Sequence, residues 1–456
     1  FDKRRGYDPI QYLPVMTGRV VDSLEVSERF LWDLRQTAQE LVIENHAEHL
    51  KALGKEHGFK LSIEPYDMNP TADMVLGGVA DVPMCEFWSQ GFDSAFTCIE
   101  STSIAHTLGK SIVAAEAFTA APGEDWQLYP AVMKNQGDWA LCTGINRIVF
   151  HRYAHQPWLD RLRGMTMGPY GVHWERTQTW WPMVDAYHRY LARCQFLLRP
   201  GRTVADICYL TPEGAPHVFR PPKSALEGDL PDRRGYNFDG CPPGTLLTAA
   251  VNDGAFVLPS GATYRILVLP AFDTMTPALL SKIKELVEAG ATVVGSPPRK
   301  SPSLSGYPAC DEQVLAMASE LWGSLQTPEQ VEERRTGKGR ILWGGNLTLP
   351  DMDKPAPSPI VHARWIWHSE DPSPEPPCKR YFRRIFTVDT NKVIKAARIL
   401  ATADNELLVY LNGSLVLKGD NFNVVYEEEV HSRLKAGENI LAMRVVNGDD
   451  KPNPAG

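Results

Sequence analysis

The chain has no stretch that approaches the ~18 consecutive apolar residues of a membrane-crossing helix, so no membrane span is expected. Lys and Arg never gather into a block, and they do not alternate with aromatic rings. With a net charge of −8, that argues against nucleic acid as a partner. The eight cysteines, at 85, 98, 142, 194, 208, 241, 310 and 378, show no CxxC pair and no metal-ligand spacing. Several lie inside apolar runs, so they are expected to be reduced thiols packed as small hydrophobes. No GxSxG elbow follows a strand and no P-loop is present, which leaves a Ser–His–Asp hydrolase and a phosphate cradle unsupported. The glycines of GATVVGSPP (290–298) follow a helix and lack GxGxxG, so they read as structural. A signal peptide is also missing, and the chain starts Phe1-Asp2-Lys3-Arg4-Arg5 rather than with Met. It ends in the turn-like run Lys451 to Gly456, and both ends read as cuts through a longer polypeptide.

What is present is length and pattern. The 456 residues leave room for two to four domains, each with its own core. Asp22, followed three residues later by Glu25, suggests a capping-box start to a helix over about 24–54, with Phe30, Leu34, Ala38 and Leu41 at helical spacing. Strands are expected at 59–64, 82–87, 111–116 and 146–151. Helices fall between and after them, near 99–108, 128–136 and 180–198. Repeated βα units argue for a parallel sheet. Four strands cannot close a barrel that needs ~8, so these read as the last half of a (β/α)8 barrel over 1–200, with an open doubly wound sheet as the alternative.

After Pro200-Gly201 the strands VADICYL (204–210), YRILVLP (264–270) and ATVVG (291–295) surround a helix over 276–290. This is a three-layer α/β pattern, read as a flanking domain over 201–348, with Gly290 placed to end the helix. A Pro-rich linker (349–359) leads to alternating strands over 360–456, in which LNGS (411–414) marks a tight turn. That region is expected to be a β-sandwich of jelly-roll, galactose-binding-like type, clipped at its end. The fold class is thus α/β plus β.

Parallel sheets gather ligands at the carboxyl ends of their strands, and charge appears there in this chain. Glu64, Glu86, Glu116 and Glu175 fall at or just after predicted strand ends. Paired carboxylates are what glycoside hydrolysis needs, although any one of these can equally serve as a structural ion pair. His151 and His155 follow a strand rather than forming HExxH on a helix, which argues against a zinc protease. They are candidates to bond sugar hydroxyls or to sit as satisfied core histidines. Trp174, Trp180 and Trp181 are placed to stack on a pyranose ring or to pack the helix that follows.

The segments RRGYDPIQYLPVMTGRVVDS, SERFLWDLRQT, VAAEAFTA, GINRIVFHRYAHQP, GMTMGPYGVHWERTQTWW and YRILVLP together resemble glycoside hydrolase family 106, the α-L-rhamnosidases, from Phe1 to about Gly345. The tail WIWHSEDPSPEPPCKRYFRRIFTV is similar to β-sandwich modules appended to rhamnosidases. The resemblance implies a (β/α)8 barrel, inversion of configuration, two catalytic glutamates, calcium near the rhamnose, and a periplasmic or secreted protein. AAEAFT is similar to the segment of the family that carries the base, which implies that role for Glu116. The family's acid belongs to a DSxE-type motif shortly before RRGYDP, a stretch expected ahead of Phe1. The implied substrate is a carbohydrate with terminal L-rhamnose. Glu64, Glu175, His151, His155 and Trp181 are candidates to bind it, with Glu64 and Glu175 also considered for the calcium shell. Two other readings stay open: a non-catalytic carbohydrate-binding protein, and another barrel glycosidase of β-galactosidase-like type.

Overall fold

The computed structural model describes residues 1–66, 70–89, 95–124, 126–161, 165–166, 168–220, 236–347, 378–389, 394, 397–403, 406–420 and 424–447. The Pro-rich linker, most of the tail motif that follows it and the last nine residues lie outside them. Two compact units emerge, Phe1–Met352 and Asp353–Gly456.

The first unit opens with a short helix, α1 (Asp2–Arg5), and then α2 (Leu24–Val42), a π-helical segment (Ile43–Glu48) and α3 (His49–Glu56). The expected long helix is therefore present, but it starts differently. Its N-cap is Ser23, whose Oγ accepts from Val26 N at 3.1 Å, rather than Asp22. Asp22 instead occupies positive φ (58°), and a short hydroxyl with extended backbone suits the cap better.

Four strands then form one all-parallel sheet in sequence order: β1 (Ser62–Ile63), β2 (Val82–Trp88), β3 (Ala114–Thr119) and β4 (Arg147–Phe150). The intervening helices are α4 (Asp73–Val79), α5 (Ala95–Leu108) and α6 (Pro130–Thr143), and α7 (Val184–Leu198) follows β4. Among the described residues the sheet stays open; no closed barrel is found. Its helix side is a continuous core of Cys85, Phe87, Ala115, Ala117, Phe118, Met133, Ala140 and Trp174. The other side is more open, so β2 alternates between buried Cys85 and Phe87 and half-buried Met84, Glu86 and Trp88. Side-chain alternation along a strand makes every polar position of β2 and β3 a member of that second face.

A second sheet is built from β5 (Ile207–Leu210), β6 (Phe238–Cys241), β10 (Ile266–Val268), β11 (Thr292–Val294), β12 (Glu332–Thr336) and β13 (Gly339–Trp343), all parallel except the β12–β13 hairpin. Their order across the sheet is β12-β13-β11-β10-β5-β6. A helical turn, α8 (Pro243–Leu246), and a small antiparallel sheet of β7 (Ala250–Asn252), β8 (Ala255–Val257) and β9 (Thr263–Tyr264) sit between β6 and β10. Helices α9 (Pro277–Ala289) and α10 (Ala309–Trp322) cover one face through Leu279, Ile283, Leu286, Val314 and Trp322. Gly290 ends α9 at φ 131°, as its position predicted.

Helix α5 covers the other face. It is buried almost all round because it serves both sheets. Ser101 Oγ donates to Met84 O of β2 at 2.9 Å, and Ser103 Oγ accepts from Gly240 N of β6 at 3.0 Å. Ile99 and Ile104 join Phe219 and Phe238 in the intervening core. Cys85, Cys98, Cys208, Cys241 and Cys310 are buried free thiols, in line with the packed state expected from the sequence, whereas Cys142 is exposed and Cys194 half-buried.

In the second unit, β14 (Cys378–Val388), β19 (Gly437–Asn447), β16 (Glu406–Leu411) and β17 (Ser414–Gly419) form an antiparallel sheet, and β15 (Arg398–Ala401) pairs with β18 (Tyr426–Glu429). Both sheets contribute to one cluster around Leu407, Val409, Leu411 and Leu417. The expected turn joins β16 to β17, with Asn412 and Gly413 both at positive φ (51° and 85°), as a two-residue hairpin loop requires.

Candidate active site

Three of the four glutamates meet on the open face of the first sheet. Glu86 of β2 and Glu116 of β3 are register partners, and Glu116 pairs in turn with Val149 of β4. Glu64 follows directly after β1. Glu116 had been expected at the end of its strand, yet β3 runs on to Thr119. A register shift separates Phe87 from Trp88, whose partner is Thr119 rather than Phe118, and Phe118 lies at φ 61°. The bulge puts Ala117 and Phe118 on the helix side in succession, so Thr119 returns to the face of Glu116. There its Oγ1 donates to Glu116 Oε1 at 3.1 Å.

Glu64 is the strained member of the group. Burial, and then the charge of Glu116, push its carboxyl up to about 7; Tyr66, whose hydroxyl donates to Glu64 Oε2 at 3.1 Å, opposes the shift. Its Oε1 is buried with no hydrogen-bond partner. Tyr66 also lies within reach of Glu86, and burial followed by the charge of Glu64 drives its phenol well above the ordinary range. Trp88 Nε1 donates to Glu86 Oε1 at 3.0 Å, and its ring meets Tyr170 edge-on at 5.6 Å.

His151, one residue past β4, brings Nδ1 to 3.8 Å from Glu116 Oε1. That is beyond hydrogen-bond range. Burial lowers the imidazole below its ordinary 6.5, with the charge of Glu116 opposing. At pH 7 it is therefore neutral, and the contact is not a salt bridge. Its backbone is fixed by His151 N donating to Ala117 O at 3.0 Å and by its carbonyl accepting from Val172 N at 2.8 Å.

The remaining candidates lie apart from this group. His155 is exposed, with no described partner. Glu175 is buried, but both its oxygens are taken by its own loop: Thr177 N donates to Oε2 at 2.7 Å and the Thr177 hydroxyl to Oε1. Trp181 packs edge-on against Trp174 at 6.4 Å, and Trp174 stacks on Phe150 of β4 at 3.9 Å. Phe150 is the register partner of Ala117, so this tryptophan cluster belongs to the helix side, away from Glu116. The tetrapeptide Asp22-Ser23-Leu24-Glu25 has the DSxE form, yet Glu25 is tied to Arg29 and Lys300 at 2.9 and 3.0 Å, as a structural ion pair would be.

Sequence reasoning did not single out Tyr66, Trp88, Thr119, Arg152 or Tyr170. Trp88 was within reach of it, since i and i+2 on a strand share a face and Glu86 was already under consideration. Tyr170 had no such signal, because its contact spans the chain.

Among the described residues no group of three or more His, Cys, Asp and Glu side chains is arranged to hold a metal ion. The glutamate oxygens suit calcium chemically, but the described residues do not converge into a cage.

Carboxylates and aromatic rings at the carboxyl edge of a parallel sheet place the chain among mixed α/β proteins with a strand-end active-site architecture. More particularly, it belongs to glycoside hydrolase family 106, described as alpha-L-rhamnosidase, whose model matches residues 1–356. A Formosa agariphila protein named "Putative beta-glucuronidase" is 40% identical over 324 residues, which is 71% of this chain and 27% of that protein. The rhamnosidase structure from Novosphingobium sp. PP1Y superposes with a TM-score of 0.67 at 22% identity, covering 98% of this chain and 55% of that one. The chain thus spans about a quarter and about half of the lengths of these two relatives.

Proposed function

We propose that this chain is part of an inverting α-L-rhamnosidase that removes terminal α-L-rhamnosyl residues from glycans or glycosides, with Glu116 as general base. The observation that carries this reading is the position of Glu116. It faces Glu64 and Glu86 at the strand ends of a chain that belongs to a glycoside hydrolase family. Thr119 holds Oε1, which leaves Oε2 to take a proton from the water attacking the anomeric carbon. Inversion needs a second carboxyl ~6.5–9.5 Å away to protonate the leaving oxygen. That acid is assigned to a part of the longer protein outside these residues, because Glu25 of the local DSxE sequence is engaged elsewhere. Trp88 and Tyr170 offer ring faces and edges for a sugar.

The same proposal takes β1–β4 as the last half of a (β/α)8 barrel, the second unit as a jelly-roll sandwich, and the protein as exported. Calcium belongs to it without assigned ligands, and no step is routed through the ion; elemental analysis of the purified protein tests its presence. The test of activity is release of rhamnose from an aryl α-L-rhamnoside by the whole protein. Unchanged turnover in Glu116→Gln would remove the base assignment. The name of the Formosa relative favours a second reading, hydrolysis of a β-glucuronide. Cleavage of an aryl β-D-glucuronide but not the rhamnoside would select it.

A further inference from the structure

Past the bulge, the ends of β2 and β3 are tied together by one carboxylate oxygen. Glu124 Oε2 accepts from Ser89 Oγ, just beyond β2, at 2.7 Å and from Ala121 N, shortly beyond β3, at 3.1 Å. Glu124 Oε1 is buried without a hydrogen-bond partner among the described residues, so Oε2 alone makes the tie. Ser89 N donates to Thr119 O at 2.9 Å. The Ser89 hydroxyl also lies 3.1 Å from that carbonyl, but it carries one proton, and the shorter, charge-assisted bond goes to the carboxylate. On the far side, Gly171 N donates to Ala120 O at 2.9 Å, and Gln136 Nε2 donates to Trp88 O at 2.5 Å.

These bonds fix a backbone that has reason to move. Phe118 sits at φ 61°, a conformation that a residue with a Cβ seldom adopts, and such strain persists only where the surroundings over-determine it. Were Phe118 to relax to extended backbone, the bulge would close and Thr119 would turn to the helix side of the sheet. Its hydroxyl would then leave Glu116 Oε1, to which it donates at 3.1 Å. The tie opposes this. It grips Thr119 O, Ala120 O and Ala121 N, which follow the strained residue directly.

Resting on the base role proposed for Glu116, we infer that Glu124 and Ser89 are positioning residues for the reaction. Their tie holds the Thr119 hydroxyl on Glu116 Oε1 and thereby decides which oxygen of the base faces the attacking water. They act through the backbone of 119–121, and the Glu124 carboxylate is required only as an acceptor of two hydrogen bonds. An amide oxygen at the same position can accept both, whereas a methyl group cannot. A base misplaced by about 1 Å loses up to ~10²-fold in rate. Substrate affinity is not lost with it, because the contact concerned is made only in the transition state.

The test follows turnover of an aryl α-L-rhamnoside by the whole protein, or of an aryl β-D-glucuronide if that is the glycoside cleaved. Glu124→Ala is expected to lower kcat by ~10–100-fold with KM within about twofold, and Glu124→Gln to recover most of the loss. Ser89→Ala should act in the same direction but more mildly, since its backbone N–H stays on Thr119 O. Thr119→Val removes the hydroxyl itself. Adding Glu124→Ala to Thr119→Val should cost no more than about a further twofold, because the tie acts only through that hydroxyl. Losses that multiply would make Glu124 merely structural and overturn the inference, as would full activity in Glu124→Ala or a loss confined to KM. Should Glu124→Ala fail to fold, Ser89→Ala carries the same comparison with Thr119→Val. A crystal structure of Glu124→Ala, or of Ser89→Ala in its place, decides without turnover. Phe118 at negative φ with Thr119 withdrawn from Glu116 is expected, and an unchanged 3.1 Å contact overturns the inference. Unchanged turnover in Glu116→Gln beside a displaced Thr119 would remove the base role and leave the tie standing. An inactive Glu116→Gln beside a fully active Glu124→Ala would remove this inference alone.

Discussion

The two parallel sheets of Phe1–Met352 share helix α5, and both hold buried or half-buried carboxylates, but on opposite terms. In the second sheet the acids are satisfied. Asp239 of β6, 1% exposed, accepts from Tyr264 OH at 2.9 Å and lies 2.8 Å from His106 Nδ1, while Thr203 Oγ1 meets the other ring nitrogen at 2.8 Å. Glu213 receives both the backbone N and the hydroxyl of Thr276, at 2.7 and 2.6 Å. On the first sheet, among the described residues, Glu64 keeps an orphaned oxygen beside two other glutamates, and neither His151 Nδ1 nor Arg152 Nη2 has a hydrogen-bond partner. Saturated polar networks fix a fold, whereas unsaturated ones are retained where a ligand completes them. The contrast therefore separates the acids that tie elements together from the unsaturated group that contains the proposed base, more sharply than residue type or burial does.

Substitutions can break that contrast. The largest effect is expected at Glu116: Glu116→Gln should lower rhamnoside turnover by about 10²–10⁴-fold, the usual contribution of a positioned base, with little change in the denaturation midpoint. Stability lost in parallel with activity would return Glu116 to the structural class. Asp239→Ala should behave in the opposite way. It strands the Tyr264 hydroxyl and the His106 imidazole, at a cost of about 2–4 kcal/mol in urea unfolding, and a neutral result there would undo the tying role.

A smaller and pH-dependent effect is expected at Glu64. Its folded pKa of about 7 stands above the ordinary 4.5, so the folded state holds the proton more tightly than the unfolded chain does. Stability is complete below about 4.5, falls as pH rises toward 7, and is constant above. Glu64→Gln removes this loss. Its melting temperature relative to the unmodified protein should therefore rise between pH 4 and pH 8, and a flat difference would contradict the burial argument. The smallest effect is expected at His155, which is exposed and outside the cluster; His155→Ala should change kcat/KM by less than about twofold, the scale of a surface substitution.

Much of the first sheet was legible because a parallel strand is a short apolar run between helices, and β2, β3 and β4 fall at or within a few residues of such runs. The second unit was legible at its hairpin, where only residues tolerant of positive φ fit Asn412-Gly413. Legibility failed where a side chain's surroundings come from distant chain. Glu64, Glu116 and Glu175 look alike as glutamates near strand ends, yet Glu175 closes on Thr177 while the other two face each other. The tryptophans of 174–181 looked equally suited to sugar and to core, and the register of Phe150 with Ala117 assigns them to the helix side.

The sequence by itself determined the parallel strands, the carboxylates at their ends and the alternation of the last region. These depend on local periodicity, which is set by the 2.0- and 3.6-residue repeats of the backbone. Only the tertiary structure decided which acids share a face and which are saturated. A bulge at Phe118 turned Thr119 toward Glu116, and the glycines at 168 and 171 laid a loop on Arg152. The reason is physical: a residue's charge state and bonding depend on what surrounds it in space, and a one-residue shift in register reverses the face it occupies.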